Sequence, residues 1–266
     1  MAGFIDIACN FTHPSFAHNL ERVLLDAETV DVKKFVLLCA SLKDLESIQS
    51  IKAKDPSKFF ITAGIHPHHA NEILDLNDLT LTDVLQGIQP DAIGETGLDY
   101  FRNISPPEIQ RESFAMHIDI AKDLKKPLYL HQRDAHDDFV KILKNHSRGL
   151  PRFVVHCFTG TQKQLDAYLD LGAYIGLTGW ICDEKRNQDL RASIKTIPLD
   201  RLMLETDCPY LLPKNLPNKP KKNINEPQFL PHIANEVSQL MNISIEKLRE
   251  ATLKNTEFFL TKTRSV

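Results

Sequence analysis

The amino-acid sequence predicts an α/β protein folded as a single (β/α)8 TIM-type barrel, and three observations support that prediction. The chain has 266 residues, of which 42% are hydrophobic and 25% are charged. Roughly 250 residues are typical of one such barrel. Short apolar segments recur about every thirty residues, each followed by a turn and an amphipathic segment, as in parallel strands joined by crossover helices. Neither an internal repeat nor a disordered linker interrupts this alternation, so we expect residues 1–266 to form a single domain.

Eight apolar segments are predicted as the strands of the barrel, because each is short, continuous and bounded by turn residues. Continuous apolar strands suit burial on both faces of a parallel sheet, and they occur in open doubly wound sheets as well as in closed barrels. The chain length and the even spacing of the segments favour the barrel. In chain order, the predicted strands are residues 4–9, 35–40, 59–65, 92–98, 127–131, 152–158, 173–178 and 201–206.

Helices are predicted between and after the strands, where apolar residues recur at helical spacing. A clear helix start is at Pro107, because proline fits the first turn, where its missing N–H is not needed. Residues 209–227 have a different composition, rich in proline, lysine and asparagine, and are expected to form a long loop after the last strand. The predicted helices include residues 41–53, 107–124, 135–143, 162–171, 228–241 and 245–260.

Composition and charge exclude several classes of protein. The apolar runs are far shorter than the ~20 residues that span a bilayer, and the amino terminus lacks the order of a signal peptide. Five scattered cysteines without a Cys-x-x-Cys pair indicate reduced thiols, not a disulfide framework or a zinc knuckle. A net charge of -3 is unlike that of a protein that coats nucleic acid, so any contact with DNA must be local. We expect a cytoplasmic protein, with the monomer favoured.

Polar or ionisable residues stand where the apolar run of six predicted strands stops. In a (β/α)8 barrel the carboxyl ends of all strands meet on one face, and that face carries the active site. Imidazole nitrogens and carboxylate oxygens together make a site for a divalent cation, which can activate water and polarise a phosphoryl oxygen. A backbone cap, a buried salt bridge or a loop cap would explain each residue singly, but not the whole set. The residues are Asn10, His66, Glu95, His131, His156 and Asp207.

Five motifs make the chain resemble the TatD family of deoxyribonucleases, in the family's order and spacing and over essentially the whole length. They are AGIHPH at 63–68, IGETGLD at 93–99, HQRDA at 131–135, HCFTG at 156–160 and LETDCPY at 204–210. The segments GLTGW at 176–180 and NEP at 225–227 are similar to the subgroup nearest TatD itself. The resemblance implies a barrel of the metal-dependent hydrolase superfamily and a magnesium-dependent 3′-to-5′ exonuclease of DNA repair or degradation.

The resemblance also implies a metal site formed by Glu95, His131, His156 and Asp207, in which Asp207 positions or deprotonates the attacking water. Mg²⁺ is the expected ion, with Mn²⁺ and Zn²⁺ as alternatives. Many relatives carry a His-x-His pair on the first strand, where this chain has Ala8 and Asn10. We therefore expect one tightly held cation, with a second recruited loosely or by the substrate.

The expected reaction is in-line attack of a metal-activated water on a phosphodiester of DNA, either single-stranded or at a duplex end. Glu95, Asp207 and His66 are the candidate catalytic residues. Tyr100, Phe101 and Trp180 are candidates for base stacking. The candidate substrate-binding residues are Arg133, His68, Asn10, Lys219, Lys221 and Lys222, with Lys214 in the same loop.

Two alternatives stay open at this point. The same barrel and ligands also serve hydrolysis of amides or esters, because an activated water attacks carbonyl groups as readily as phosphorus. The basic loop after the last strand favours phosphate. A noncatalytic nucleic-acid-binding protein on the same barrel is the second alternative, and the intact set of metal-binding residue types argues against it.

Overall fold

A computed structural model of the protein describes residues 3–76 and 80–261 and contains the predicted barrel. Eight parallel strands form one sheet in which every strand pairs with its neighbours in sequence order. Parallel pairing in sequence order requires a crossover between every two strands, which is why the predicted strands and helices alternate. The strands are β1 (Phe4–Cys9), β2 (Val32–Leu37), β3 (Phe59–Ala63), β4 (Ala92–Asp99), β5 (Leu128–Arg133), β6 (Phe153–Val155), β7 (Tyr174–Leu177) and β8 (Leu202–Leu204).

The sheet curls until its first and last strands meet, which nearly closes the barrel. Cys9, the last residue of β1, forms an isolated parallel bridge with Cys208, just beyond β8. The backbone N–H of Asn10 donates to the carbonyl of Cys208 at 3.0 Å. The two seam strands therefore meet through the residues that follow β8, next to Asp207.

The described part of the chain also contains nine α-helices, which pack around the outside of the barrel. The fourth helix begins at Pro107 as predicted, and the loop predicted for residues 209–227 contains neither helix nor strand up to residue 226. No helix in the described ranges has both the length and the apolar character needed to cross a membrane. The helices are α1 (Leu20–Thr29), α2 (Leu45–Lys54), α3 (Leu81–Ile88), α4 (Pro107–Asp123), α5 (His136–Asn145), α6 (Gln162–Asp170), α7 (Gln188–Ser193), α8 (Leu230–Met241) and α9 (Ile245–Thr261).

The apolar core lies in two layers on either side of the strands. The larger layer fills the space between the strands and the helices. The smaller layer fills the barrel interior and includes Ile7, Val36 and Met203. At its lower end the ring of Phe259, from α9, packs against Tyr129 and Tyr174, with ring centroids 6.1 and 5.5 Å apart. We call this aromatic packing the barrel floor; the opposite end of the barrel stays open to solvent.

The largest difference from the predicted strands is in β2, which spans Val32–Leu37 and not residues 35–40. Lys33 is exposed and Lys34 is half-buried, so a pattern that looks for apolar residues does not detect the start of this strand. Residues 38 and 39 are buried but lie beyond the end of β2. Similarly, β6 ends just before His156, where the backbone leaves the sheet and carries polar side chains into the open end.

Candidate functional site

The open end of the barrel forms a cleft of about 480 Å³ at the carboxyl ends of the strands. All six polar residues that the sequence placed at strand ends line this cleft, although they come from six different strands or the residues that follow them. The described residues that line it include Asn10, His66, His68, Glu95, Asp99, Arg102, His131, Arg133, His156, Cys157, Trp180, Asp207 and Tyr210.

Glu95 lies at the centre of the site, with its side chain almost fully buried on β4. One carboxylate oxygen, Oε1, lies 2.6 Å from Nε2 of His156, 3.1 Å from Nδ1 of His131 and 3.4 Å from Nε2 of His66. Burial alone would raise the pKa of Glu95, but the charge of His156 and the hydrogen bonds from His131 and His156 outweigh it and hold the pKa well below its usual value. The carboxyl is therefore ionised and available as a ligand.

A second carboxylate, Asp99, pairs with His131 and His68 at the end of β4. Its Oδ2 lies 2.8 Å from Nε2 of His68 and 3.3 Å from Nε2 of His131, while Oδ1 accepts from the backbone N–H of Arg102 at 2.8 Å. Although burial opposes ionisation, the hydrogen bonds from His131 and His68 lower the pKa of Asp99. The imidazole of His131 is thus held between two anionic carboxylates, Glu95 and Asp99.

Gly97 permits the close approach of β4 and β5 that brings Glu95 and His131 together. Its φ of 140° lies in the region that favours glycine. A Cβ at this position would lie only 2.0 Å from the carbonyl oxygen of His131. Only a residue without a side chain fits between these two strands.

Asp207, just after β8, is partly buried and fixed by one side-chain hydrogen bond. Nδ2 of Asn10 donates to Oδ1 of Asp207 at 3.1 Å and to the carbonyl of Cys208 at the same distance. Burial raises the pKa of Asp207 to about 7, against the opposing charge of His156. A carboxyl with this pKa can exchange a proton near neutral pH.

His66 caps the helical turn that follows it, and this fixes its protonation pattern. The backbone N–H of His68 donates to Nδ1 of His66 at 3.1 Å. Burial lowers the pKa of His66 well below its ordinary value, so the ring is neutral and carries its proton on Nε2, towards Glu95.

The rim of the cleft carries exposed cationic and aromatic side chains. The guanidinium of Arg133 lies 3.9 Å from the ring centroid of Phe101, which is 56% exposed. Tyr210, 51% exposed, stands on the rim beyond β8. Trp180 also lines the cleft, whereas the Tyr100 hydroxyl donates to Asp138 at 2.8 Å. Phe101 and Tyr210 are therefore the rim aromatics most open to a ligand.

The basic side chains of the loop after β8 point into solvent. Among the described residues that line the cleft, none is one of these lysines, although Tyr210 and Leu211 from the start of the loop are. The loop thus contributes its first residues to the cleft and its charges to the surrounding surface. The exposed lysines are Lys214, Lys219, Lys221 and Lys222.

The donor atoms in the cleft fit a divalent metal ion. One ligand atom each from His66, Glu95 and His131 lies within 4.8 Å of the others, and His156 shares the same Glu95 oxygen. Anionic oxygen and imidazole nitrogen at this separation are suited to such an ion. At the carboxyl end of β1, Ala8 is buried and has no side-chain atom that could bind a metal, and the amide nitrogen of Asn10 faces Asp207.

Two buried carboxylates of the site were not identified from the sequence. Asp99 ends the motif at 93–99, and Glu205 lies within the motif at 204–210. Their signal was a carboxylate at the end of an apolar run, the same pattern that identified Glu95 and Asp207. Glu205 lies two positions before Asp207 and is fully buried beside His156.

Comparison with known proteins finds relatives along nearly the whole chain. The family described as TatD related DNase matches residues 5–261. A protein of Erwinia billingiae named 3′-5′ ssDNA/RNA exonuclease TatD is 42% identical over 243 residues, which make up 91% of this chain and 93% of the relative. A protein of the same name from Yersinia pseudotuberculosis is 41% identical over 233 residues, 88% of this chain and 90% of the relative.

Solved structures match the fold over the same extent. A TatD homologue of Escherichia coli has a TM-score of 0.86 at 27% identity, covering 97% of this chain and 98% of that one. A hydrolase of the TatD family from Entamoeba histolytica has a TM-score of 0.85 at 27% identity, covering 98% and 99%. The phosphotriesterase homology protein of E. coli, at 14% identity and a TM-score of 0.64 over 98% and 99% of the two chains, shares the fold alone.

Proposed function

The chain belongs to the TatD-related DNase family and is a nuclease, and on that premise we propose that it is a metal-dependent 3′-to-5′ exonuclease acting on single-stranded nucleic acid. The observation that carries this proposal is the Glu95 oxygen shared by three imidazoles in an open cleft. Relatives about 40% identical bear the name of such an exonuclease. DNA repair or degradation in the cytoplasm is the role we propose for it.

Glu95, His131, His156 and Asp207 are the residues we propose to hold the cation, with Mg²⁺ as the native ion and Mn²⁺ or Zn²⁺ as substitutes. When bound, such an ion supplies Lewis-acid polarisation of the phosphate and lowers the pKa of water. The carboxylates contribute negative charge, and the imidazoles contribute neutral nitrogen donors.

Asp207 is the group we propose to accept the proton of the attacking water. Its Oδ1 is fixed by Asn10 at 3.1 Å, which orients the carboxylate and leaves Oδ2 to receive the proton. A pKa of about 7 matches this task, because a general base works best when its pKa is close to the working pH. Asn10 therefore acts on the reaction through Asp207.

His66 is the group we propose to donate a hydrogen bond to the leaving oxygen. Its neutral ring carries the proton on Nε2, at the wall of the cleft, because Nδ1 accepts from His68. Oδ2 of Asp99 lies 2.8 Å from Nε2 of His68 and orients this second imidazole beside His66. In this arrangement His68 faces the substrate phosphate from beside His66.

Arg133 and Phe101 form the part of the rim that we propose to bind the nucleotide chain. A guanidinium binds phosphate through two parallel hydrogen bonds, and an exposed aromatic ring offers a face for a base. The stacking of Arg133 on Phe101 holds the guanidinium at the mouth of the cleft. Unpaired bases reach such a ring more easily than paired ones, which favours single strands.

The test is digestion of DNA and RNA oligonucleotides that carry a label at either the 3′ or the 5′ end. With Mg²⁺ or Mn²⁺ we expect immediate release of a labelled mononucleotide from 3′-labelled single strands, and a ladder that shortens gradually from 5′-labelled ones. EDTA should stop the reaction, and a blunt duplex should react more slowly. Hydrolysis of simple carboxylic esters without release of nucleotides would contradict the proposal and favour an amide or ester hydrolase.

A further inference from the structure

Glu205 is a fully buried carboxylate that lies beside His156, on the side of the ring away from Glu95. We propose that Glu205 is a positioning residue, which fixes the ring and the tautomer of His156 so that Nε2 of this imidazole can coordinate the divalent cation. This inference rests on the metal site of the proposed function. It gives a role to a carboxylate that the reaction described above does not use.

The two facing atoms of Glu205 and His156 have no other partner among the described residues. Oε2 of Glu205 lies 3.5 Å from Nδ1 of His156, and both atoms are buried without a regular hydrogen bond. Leaving a buried polar atom unpaired is costly, so each group stabilises the other. The pairing that the geometry offers is a proton on Nδ1 directed at the carboxylate.

Strands on both sides hold Glu205 in this orientation. The backbone N–H of Cys157, next to His156, donates to Oε1, and the backbone N–H of Glu205 donates to the carbonyl of Leu177 at 3.1 Å. A Cβ on Gly176 would lie 2.8 Å from Oε1 and 3.1 Å from Cα of His156, so the glycine leaves the space that the carboxylate occupies. The side chain is therefore fixed by contacts with β6, β7 and β8.

This arrangement decides which nitrogen of His156 is free. A neutral imidazole has one N–H and one lone pair. Without a metal, Nε2 lies 2.6 Å from the ionised Oε1 of Glu95 and carries a proton towards it. Once that proton is given up for coordination, the remaining proton is on Nδ1, towards Glu205, and the lone pair of Nε2 faces the cleft. Metal-binding histidines generally donate their other N–H to a carboxylate or carbonyl in this way, which orients the ring and makes the ligand more basic.

A simpler role for Glu205 would be to cap the Cys157 N–H, and the variant Glu205→Gln separates the two roles. A glutamine can keep the bond to Cys157 only by directing its NH₂ group at Nδ1 of His156. Nδ1 must then accept, and the proton of the neutral ring moves to Nε2, where it blocks coordination. A mere cap would leave the tautomer and the affinity for metal unchanged.

The experiment measures Mn²⁺ binding by calorimetry and, in the Mg²⁺-saturated protein labelled with ¹⁵N-histidine, the nitrogen of His156 that keeps its proton by NMR. We expect the wild type to carry the proton on Nδ1. In Glu205→Gln we expect the proton on Nε2 and Mn²⁺ affinity weaker by roughly 10 to 100-fold. The matched control is Glu236→Gln, which removes a carboxylate bound to Arg191 outside the cleft and should leave both readouts unchanged.

An Nε2 proton in the wild type, or unchanged Mn²⁺ affinity in Glu205→Gln, would overturn the role of Glu205. The wild-type spectrum gives this answer even if the variant does not fold. Wild-type protein that fails to bind Mn²⁺ would overturn it as well, together with the metal site. If the wild type binds Mn²⁺ and shows the Nδ1 proton but releases no nucleotides, the exonuclease proposal fails and the role of Glu205 stands.

Discussion

Asp207 receives a hydrogen bond of 3.1 Å from Asn10, and burial raises the pKa of its carboxyl to about 7. We expect Asp207→Asn to lower kcat by roughly 10² to 10⁴-fold, because the amide cannot accept the proton of water. The fold should persist, since asparagine has the same shape and removes a buried charge. The measurement is mononucleotide release under single-turnover conditions, alongside the Tm of both proteins.

The matched control for this variant is Asp200→Asn, which makes the same change at an exposed residue that does not line the cleft. It should digest single strands at the wild-type rate. A rate for Asp207→Asn within about threefold of wild type, far less than removal of a general base should cost, would show that another group accepts the proton.

At this scale the sequence predicted residue types well and their partners poorly. Glu95, His131 and His156 were identified because each stands at the end of an apolar run, and they do meet in the cleft. That His131 lies between Glu95 and Asp99 could not be predicted, because it depends on the register between β4 and β5. Such contacts are set by tertiary structure, which no local pattern reports.

The helix α4 is joined to the end of β3 by His117, and this contact predicts an acid limit to stability. Nε2 of His117 accepts from the backbone N–H of Ile65 at 3.0 Å, and Nδ1 donates to the carbonyl of Ser113 at 2.6 Å. Burial lowers the pKa of His117 from 6.5 to about 4. The unfolded chain therefore takes up this proton at a higher pH than the folded protein does.

The stability that the neutral ring provides is fully present above about pH 6.5 and is lost as the pH falls towards 4. Across that window we expect His117 to account for a loss of roughly 3 kcal/mol in the free energy of unfolding. Urea unfolding between pH 7 and pH 4 measures how the free energy of unfolding changes with pH. For His117→Gln this dependence should be weaker than for the wild type, by the equivalent of up to one bound proton. His18→Gln, at an exposed residue, should keep the slope of the wild type; equal slopes for all three proteins would contradict the assignment.

The loop after β8 carries Lys219, Lys221 and Lys222, which are exposed, and its first residues, Tyr210 and Leu211, line the cleft. Changing all three lysines to alanine should weaken the binding of long single strands. The slope of log binding constant against log salt concentration should become shallower by about two, at roughly 0.7 for each lost phosphate contact. Cleavage of a dinucleotide, which cannot reach the loop, should be nearly unchanged. The measurement is a titration of labelled oligonucleotides at several salt concentrations.

The control for the loop is the combined change of Lys54, Lys247 and Lys254 to alanine, three exposed lysines on α2 and α9. None of these lysines lines the cleft, so this variant should keep the wild-type salt slope. If both variants give the same slope as the wild type, the loop lysines are only solvated, and Arg102, Lys185 and Arg186 become the next candidates.

The number, order and type of the strands could be predicted because a buried parallel strand leaves a continuous apolar run. The ends of elements were less predictable. In β2, for example, Lys33 and Lys34 belong to the strand, but the continuous apolar run begins only at Phe35. In contrast, β6 and β8 were predicted to extend too far at their carboxyl ends. Buried residues continue into the site after each strand has ended, so the apolar run is longer than the strand.

The whole molecule should be more stable with its metal, because an ion that binds only the folded state shifts the folding equilibrium. At 100 times the dissociation constant, a single ion adds about 2.7 kcal/mol, which corresponds to a rise in Tm of roughly 5 to 10 °C. Scanning calorimetry of the wild type with Mg²⁺ and with EDTA measures this shift. For Glu95→Gln, the Tm with Mg²⁺ should differ little from the Tm with EDTA. If Mg²⁺ raised the Tm of this variant as much as that of the wild type, the ion would bind elsewhere.

The barrel floor has a consequence for the way the protein is made. During translation β1 leaves the ribosome before the other strands, but its bridge partner Cys208 follows only after β8, and the floor ring of Phe259 only after α8. Until then the growing sheet has an unpaired edge and an uncovered interior, which invite aggregation. We expect nascent chains stalled after residue 241 to be protease-sensitive and to bind holdase chaperones. Chains that have released residue 261 beyond the exit tunnel should resist the protease, and equal sensitivity of the two would show that the floor is dispensable for closure.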